Sequence, residues 1–177
     1  MTLAPPLSWS ETTVLATTLA SAAILILAAG HDIVSRTVPN WMSLAIAALG
    51  IPASFAAGRA GLSLGIGAAV FATAAFCWRR GWMGGADVKL LGAIAIVLPP
   101  AMVATFAIAM SLSGAAQAAV YIFARRLVAP PRRPRPRFLL SRGLRAEQWR
   151  ISRGGPLPYA CAIAFGFLFV VINGGAP

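Results

Sequence analysis

Apolar residues fall in long runs that are separated by short polar segments. Runs of this length predict membrane-crossing helices, because about 20 apolar residues are needed for each crossing. The run at residues 88–125 is about twice as long as one crossing requires, and its Leu98-Pro99-Pro100 sequence predicts a tight turn between two spans. Six spans are therefore predicted, from runs at residues 13–30, 41–57, 61–78, 88–125 and 157–172.

The composition also indicates a membrane protein. Of 177 residues, 59% are hydrophobic and 11% are charged, whereas soluble domains have roughly 45–50% apolar and 25% charged residues. No Lys or Arg precedes the first run, so we interpret it as a retained span and not as a signal peptide. We expect a single all-α, membrane-embedded domain over residues 1–177.

The distribution of basic residues predicts the orientation of the spans. Fifteen Lys and Arg residues oppose four Asp and Glu, and fourteen of the fifteen lie in segments 31–40, 79–89 and 125–155. The segments on the other side contain only Arg59. Because Lys and Arg near span ends favour the cytoplasmic side, we expect the N-terminus and the C-terminus to lie outside.

The most basic part of the chain is an Arg/Pro-rich cytoplasmic loop at about residues 125–155. Residues 130–137 are predicted to be extended, and residues 138–151 to form a short basic amphipathic helix on the lipid headgroups. The net charge of +11 is also compatible with nucleic-acid binding. Attraction to anionic inner-leaflet lipids explains the charge with fewer assumptions, so lipids and not nucleic acid are the predicted partner.

The two cysteines, Cys77 and Cys161, lie far apart inside apolar runs. They form no CxxC pair, so the sequence predicts neither a zinc site nor a disulfide. Nothing in the sequence indicates another metal or an organic cofactor.

The chain contains only two aspartates, Asp32 and Asp87. Asp32 follows span 1 and Asp87 precedes span 4, so the predicted hairpins bring both to the cytoplasmic face. Asp87 has an alternative role in capping the helix that follows it. Asp32 follows the C-terminal end of span 1, where a negative charge opposes the helix dipole unless Arg36 pairs with it. A carboxylate in such a position near lipid is a candidate functional group.

Two neighbouring carboxylates are suited to acid–base chemistry. They cannot both ionise cheaply, so they share a proton. One carboxylate then activates a water while its protonated partner polarises a carbonyl, and the two roles are not assigned to individual residues. Gly84, Gly85 and Ala86 precede Asp87, and small residues there let an extended substrate backbone approach the acid.

The segments around both aspartates resemble the motifs of type IV prepilin peptidases. DIVSRTVPN at residues 32–40 is similar to the family's first motif, in which Asp is followed by a basic residue and Ile/Val-Pro-Asn. GGADVKLL at residues 84–91 resembles the second motif, GxGD followed by a variable residue and Lys. PYA at residues 158–160 resembles the Pro-Tyr-Gly that opens the family's last span.

This resemblance implies an aspartic endopeptidase in which Asp32 and Asp87 are catalytic and residues 84–86 shape the adjoining loop. Ala86 replaces the motif's second glycine, a change that leaves activity intact unless the position requires a positive φ. Lys89 has two alternative roles. It is either a snorkelling anchor at the interface or a residue that stabilises the charge or the geometry of the aspartate pair.

The resemblance also implies the substrate and the location. Prepilins carry a basic leader that is removed at the cytoplasmic face of the inner membrane, commonly after glycine. The chain lacks the cysteine-bearing cytoplasmic domain of longer family members, which also methylate the new N-terminus. It is similar to the short form associated with Flp-type (tight-adherence) pili. We therefore expect peptidase activity without methylation in a multi-pass protein of the bacterial inner membrane.

The alternative function is a small proton- or cation-coupled transporter or channel component. Carboxylates within membranes also serve ion pathways. Transporters usually place such sites near the bilayer midplane, often between repeated halves. The sequence predicts both aspartates at one face and shows no internal repeat.

Overall fold

The computed structural model describes residues 8–129, 139–155 and 157–174. Every regular element in these ranges is helical, as predicted. The helices are α1 (Trp9–Ser35), α2 (Asn40–Ala56), α3 (Ala60–Arg79), α4 (Gly85–Val97), α5 (Val103–Leu127), α6 (Leu139–Arg153) and α7 (Tyr159–Asn173), and a 3-10 turn at Pro100–Met102 precedes α5. The segment predicted to be extended, residues 130–137, lies outside the described residues.

Six helices correspond to the predicted apolar spans, and α6 corresponds to the predicted amphipathic helix. The proline turn is confirmed, since α4 ends at Val97 and Pro100 opens the 3-10 turn. By length and composition, α1, α3 and the run Pro100–Leu127 can cross a membrane, whereas α2 and α7 are apolar but shorter. With 13 residues, α4 is shorter still. The protein is an all-helical membrane protein, while the number of six crossings stays a prediction.

Local sequence signals set both ends of α1. The Ser8 hydroxyl accepts a hydrogen bond from the Glu11 backbone N–H at 3.3 Å, and the Glu11 carboxylate accepts one from the Ser8 backbone N–H at 2.8 Å. This capping box satisfies N–H groups that a helix N-terminus leaves free. At the other end, Arg36 is left-handed with φ 57°, and its backbone N–H donates to Asp32 O at 2.9 Å. That turn ends α1 just after Asp32.

The central helix is α4, which packs on α2 and α3 and also contacts α1 and α7. Glycines on its neighbours permit close approach. A Cβ added at Gly50 of α2 would lie 2.7 Å from Val97 Cγ2, and one added at Gly67 of α3 would lie 2.5 Å from Ile96 Cγ1. In a bilayer, where lipid is as apolar as the helices, close packing at small residues is a main source of helix association.

The chain reverses direction between successive long helices, so the bundle has two ends. One end, which we call the aspartate end, contains the C-terminus of α1, the N-termini of α2, α4 and α7, and α6. At the opposite end, Arg59 donates to Leu98 O at 2.8 Å and to Val97 O at 2.9 Å. Burial lowers the pKa of the Arg59 guanidinium. Arg59 therefore caps the last carbonyls of α4, in addition to any role in orientation.

Candidate active site

Asp32 lies in the last turns of α1 and is only 9% exposed. Its Oδ2 accepts a hydrogen bond from the backbone N–H of Ala160, at an N···O distance of 3.3 Å, in the first turn of α7. Because the N-terminus of a helix carries a partial positive charge, α7 stabilises a carboxylate that the C-terminus of α1 disfavours. Asp32 thus has a structural role, in capping α7, that the sequence does not reveal.

Asp87 is the third residue of α4 and is partly buried. A carboxylate in the first turn suits the helix dipole, so the capping role considered from the sequence agrees with this position. The carboxylate lies beside Gly84, the residue that precedes the helix, where an added Cβ would come within 3.0 Å of Asp87 Oδ2. A residue with a side chain at position 84 would therefore crowd the acid.

Both carboxylates lie at the aspartate end, within electrostatic range of each other. The start of α7 lies near both, since Ala160 binds Asp32 and Tyr159 is within electrostatic range of Asp87. Two carboxylates in such surroundings cannot both ionise without a cost, which favours one shared proton. The arrangement can therefore supply both an acid and a base to one substrate.

The residues before Asp87 adopt ordinary backbone conformations. Gly84 is extended, with φ −73° and ψ 143°. A Cβ at Gly85 would lie 3.3 Å from Trp78 Nε1 at the end of α3, so a side chain at this position would require the indole to shift. Ala86 lies within α4 and does not have a positive φ. The alanine therefore fits where the family motif has glycine, without backbone strain.

Lys89 connects α4 to α2. Its Nζ donates a hydrogen bond to Oδ1 of Asn40, the first residue of α2, at 2.8 Å. Both residues border an open apolar groove of about 700 Å³ between α2, α3 and α4. This contact ties the helix that carries Asp87 to α2, and both roles considered for Lys89 stay predictions.

Arg36 does not form the ion pair with Asp32 that the sequence allows. In the described ranges its Nη2 pairs with Glu147 Oε1 of α6 at 2.5 Å, and it influences Asp32 only through its charge. The reason is geometric: the left-handed turn at Arg36 follows the end of α1, where α6 packs.

Three residues near the aspartates are not singled out as site residues by the sequence. Tyr159 and Ala160 belong to the PYA motif, which is too short to be specific. Glu147 is one of four acidic residues in the chain, and it lies among arginines that explain it as a neutralised surface charge. Their positions beside the pair depend on how α6 and α7 pack, which no local pattern specifies.

Neither metal ligation nor a disulfide is evident around these residues. Across residues 8–129, 139–155 and 157–174, no group of three or more His, Cys, Asp or Glu side chains is arranged to hold a metal ion. Cys77 and Cys161 are free thiols, and Cys161 Sγ packs 3.8 Å from Ala29 O of α1.

An apolar helix bundle with two acidic side chains at one end defines a membrane protein with a candidate acid–base site. Residues 19–119, more than half of the chain, match the model of the type IV leader peptidase family. The chain therefore belongs to the type IV leader peptidase family and is a peptidase, which confirms the resemblance found in its aspartate motifs. The match includes both aspartates and ends within α5, before α6 and α7. No curated protein and no solved structure matches the chain.

Proposed function

We propose that the protein is a membrane aspartic endopeptidase that removes the leader peptide of type IV prepilins at the cytoplasmic membrane face. Family membership supports a prepilin substrate. The observation that carries the proposal is that Asp32 and Asp87, the only aspartates in the chain, come from separate helices and lie at the same end of the bundle beside the start of α7. A pair of this kind is the chemical requirement for hydrolysis by two carboxylates.

In the proposed reaction, the two aspartates share one proton and hold a water molecule. The ionised carboxylate takes a proton from the water as its oxygen attacks the carbonyl carbon of the scissile peptide, while the protonated carboxyl polarises the carbonyl oxygen. The tetrahedral intermediate then breaks its C–N bond, and the leaving amine receives a proton from the pair. Because the pair titrates as a unit, neither role is assigned to one residue.

We assign a shaping role to the residues around Asp87. The absence of a side chain at Gly84 leaves space for the carboxylate, and the glycine at Gly85 lets α3 approach. Ala86 continues the helix, and Lys89 ties that helix to α2. Each of these contacts helps to hold the acid in one position, which a reaction between closely placed groups requires.

The type of prepilin and the orientation in the membrane are inferred from the sequence. The proposed substrates are Flp-type prepilins, which are cleaved without methylation of the new N-terminus. Six crossings with both termini outside put the aspartate end at the cytoplasmic face of the bacterial inner membrane. The basic loop at about residues 125–155 then faces the anionic lipids of the inner leaflet.

The transporter alternative receives less support from the geometry. Coupling carboxylates of secondary transporters lie near the bilayer midplane, whereas Asp32 is near the end of α1 and Asp87 is in the first turn of α4. A site at the end of the bundle suits a reaction that needs water and a soluble leader peptide.

Coexpression with an Flp-type prepilin tests the proposal. Asp32→Asn and Asp87→Asn should each lower the cleavage rate by about 100- to 10,000-fold, because each removes a proton-transferring group. Gel mobility follows the loss of the leader, and the mass of the new N-terminus distinguishes a free amine from a methylated one. Asparagine keeps the side-chain oxygen that binds Ala160, so Asp32→Asn preserves the cap on α7.

Glu11→Gln is the matched control. The substitution removes a carboxylate near the other end of α1. The variant protein should cleave the prepilin at the wild-type rate. If either asparagine variant processes the prepilin normally, the two aspartates are not the catalytic pair.

A further inference from the structure

A buried charge cluster adjoins Asp32 on the side of α6. Both carboxylate oxygens of Glu147 are bonded: Oε1 accepts from Arg36 Nη2 at 2.5 Å and from the Tyr121 hydroxyl, and Oε2 accepts from Arg150 Nη1 at 3.1 Å. The Arg36 and Glu147 side chains are only 13% and 14% exposed. Removing one partner from a cluster this buried leaves an uncompensated charge.

Glu147 is the anionic partner that compensates the charge of Arg36. In the part of the chain that the structure describes, Nε and Nη1 of Arg36 are buried without a hydrogen-bond partner. The guanidinium is therefore held through Nη2, which pairs with Glu147 beside the Tyr121 hydroxyl. Since Arg36 is also the left-handed residue that ends α1, this ion pair fixes the turn that follows Asp32.

Arg150 holds the same end of α1 from α6. Its Nη1 donates to Ile33 O at 2.7 Å and its Nη2 donates to Val34 O at 3.3 Å. The last carbonyls of a helix have no partner within it, so a guanidinium that reaches them caps the helix. The two residues that Arg150 caps are the two that directly follow Asp32. Glu147 orients Arg150 by the bond to Nη1.

We propose that Glu147 is a positioning residue for the reaction at Asp32. It acts through Arg36 and Arg150, which together fix the end of α1, and it makes α6 a functional part of the site. The inference rests on the proposed peptidase function. It concerns a helix that lies beyond residues 19–119, the part of the chain that matches the family.

Because Glu147 is charged, its substitution should change the pH dependence of cleavage, which the loss of a purely structural contact would not do. The charged and titratable groups that act on or respond to Asp32 are Arg36, Glu147 and Arg150, with Asp87 on α4 and Cys161 on α7. Glu147→Gln removes one negative charge and leaves the two positive charges of Arg36 and Arg150 beside Asp32. Positive charge favours ionised carboxylates, so the whole pH–activity profile should move to lower pH, by about half a pH unit or more.

Glu147→Gln is tested in nanodiscs by cleavage kinetics and by hydrogen exchange. We expect kcat per folded molecule to fall at least about tenfold with KM nearly unchanged, because a shift of about 1 Å in a reacting group costs up to about 100-fold. Backbone amides of residues 33–36 should exchange faster, whereas those of residues 57–59 at the other end should not. Leu144→Ala, at an exposed position of α6, is the matched control and should leave all readouts unchanged.

Tyr121→Phe provides a milder variant, since it removes one hydrogen bond and leaves no charge unpaired. It should lower kcat severalfold, which is less than the decrease expected for Glu147→Gln. Wild-type kcat in both variants, together with an unmoved pH profile in Glu147→Gln, would overturn the proposal, even if residues 33–36 exchange faster. If the wild-type protein cleaves no prepilin, the proposed function fails, and unchanged exchange at the end of α1 then overturns the positioning role separately.

Discussion

Asp32 lies between the ends of two helices whose dipoles have opposite effects on it. The C-terminus of α1 disfavours a negative charge, and the N-terminus of α7 favours one through the Ala160 N–H. The second contact gives Asp32 a structural function as well as a proposed catalytic one. Substitution by asparagine separates the two, since it preserves a cap and removes an acid.

Gly84→Ala should reduce cleavage without reducing stability. The added Cβ would lie 3.0 Å from Asp87 Oδ2, the mobile end of a side chain, so the acid rotates away while the fold is kept. We expect the cleavage rate to fall about 10- to 100-fold and the melting temperature to stay unchanged. Gly65→Ala on α3 is the control, since no atom lies within 4 Å of its added Cβ. A wild-type rate for Gly84→Ala would show that Asp87 does not need this space.

At the scale of the elements, the helices are held by close backbone approach and by caps from neighbouring segments. On α7, a Cβ at Gly166 would come within 2.9 Å of the backbone N of Met110 on α5. At the opposite end from the aspartates, Arg59 supplies the cap that α4 lacks after Val97. Both contacts join segments that are distant in the chain, so they stabilise the bundle and not a single helix.

Gly166→Ala should destabilise the bundle. Its Cβ would meet the main chain of α5, which cannot rotate away as a side chain can, so α5 and α7 must separate. Overpacking of this kind costs about 1–3 kcal/mol. The free energy of unfolding in mixed micelles measures the loss. Gly61→Ala, whose Cβ meets nothing within 4 Å, should unfold as the wild type does, and equal stability of the two variants would contradict the prediction.

Arg59→Met should also destabilise the protein, by about 1–3 kcal/mol, because two carbonyls at the end of α4 lose their donors. Arg59→Lys keeps the charge but lacks the planar fork that reaches both carbonyls, so its stability should be intermediate. In thermal unfolding, the melting temperature should decrease from the wild type to Arg59→Lys and further to Arg59→Met. Cleavage per folded molecule should be unchanged in both, since Arg59 lies at the end remote from the aspartates. If Arg59→Lys were as stable as the wild type, a positive charge alone would be sufficient at this position.

For the whole molecule, the short central helix is the feature that shapes the site. A helix of 13 residues is about 20 Å long, less than the roughly 30 Å of the hydrocarbon core. Because other helices surround α4, its polar first turn with Asp87 is packed against protein. The bundle thus presents two acids at one end while its outer helices meet lipid.

Labelling with a membrane-impermeant maleimide should establish the orientation. In a Cys77→Ser, Cys161→Ser background, Ala57→Cys in the turn after α2 should react in intact spheroplasts, because that turn is predicted outside. Trp82→Cys, at a position 72% exposed between α3 and α4, should react only after the membrane is permeabilised. The reverse pattern would place the aspartates outside and would exclude cleavage at the cytoplasmic face.

The sequence by itself determined the helices, the proline turn and the family. These properties are local: the length of an apolar run, a Pro-Pro pair and the residues next to each aspartate need no knowledge of distant contacts. Successive long helices must run in opposite directions across the membrane, and this alternation placed Asp32 and Asp87 at the same end. The same reasoning predicted the amphipathic helix that the structure shows as α6.

Tertiary structure alone decided which faces of the helices meet. A span that is apolar on all sides has no polar face to mark the side turned away from the core, so its sequence does not indicate which residues face inward. For this reason the cap of Asp32 on α7, the bond from Lys89 to Asn40 and the buried cluster at Glu147 follow only from packing. Each joins segments far apart in the chain, and its geometry depends on the rotation of whole helices.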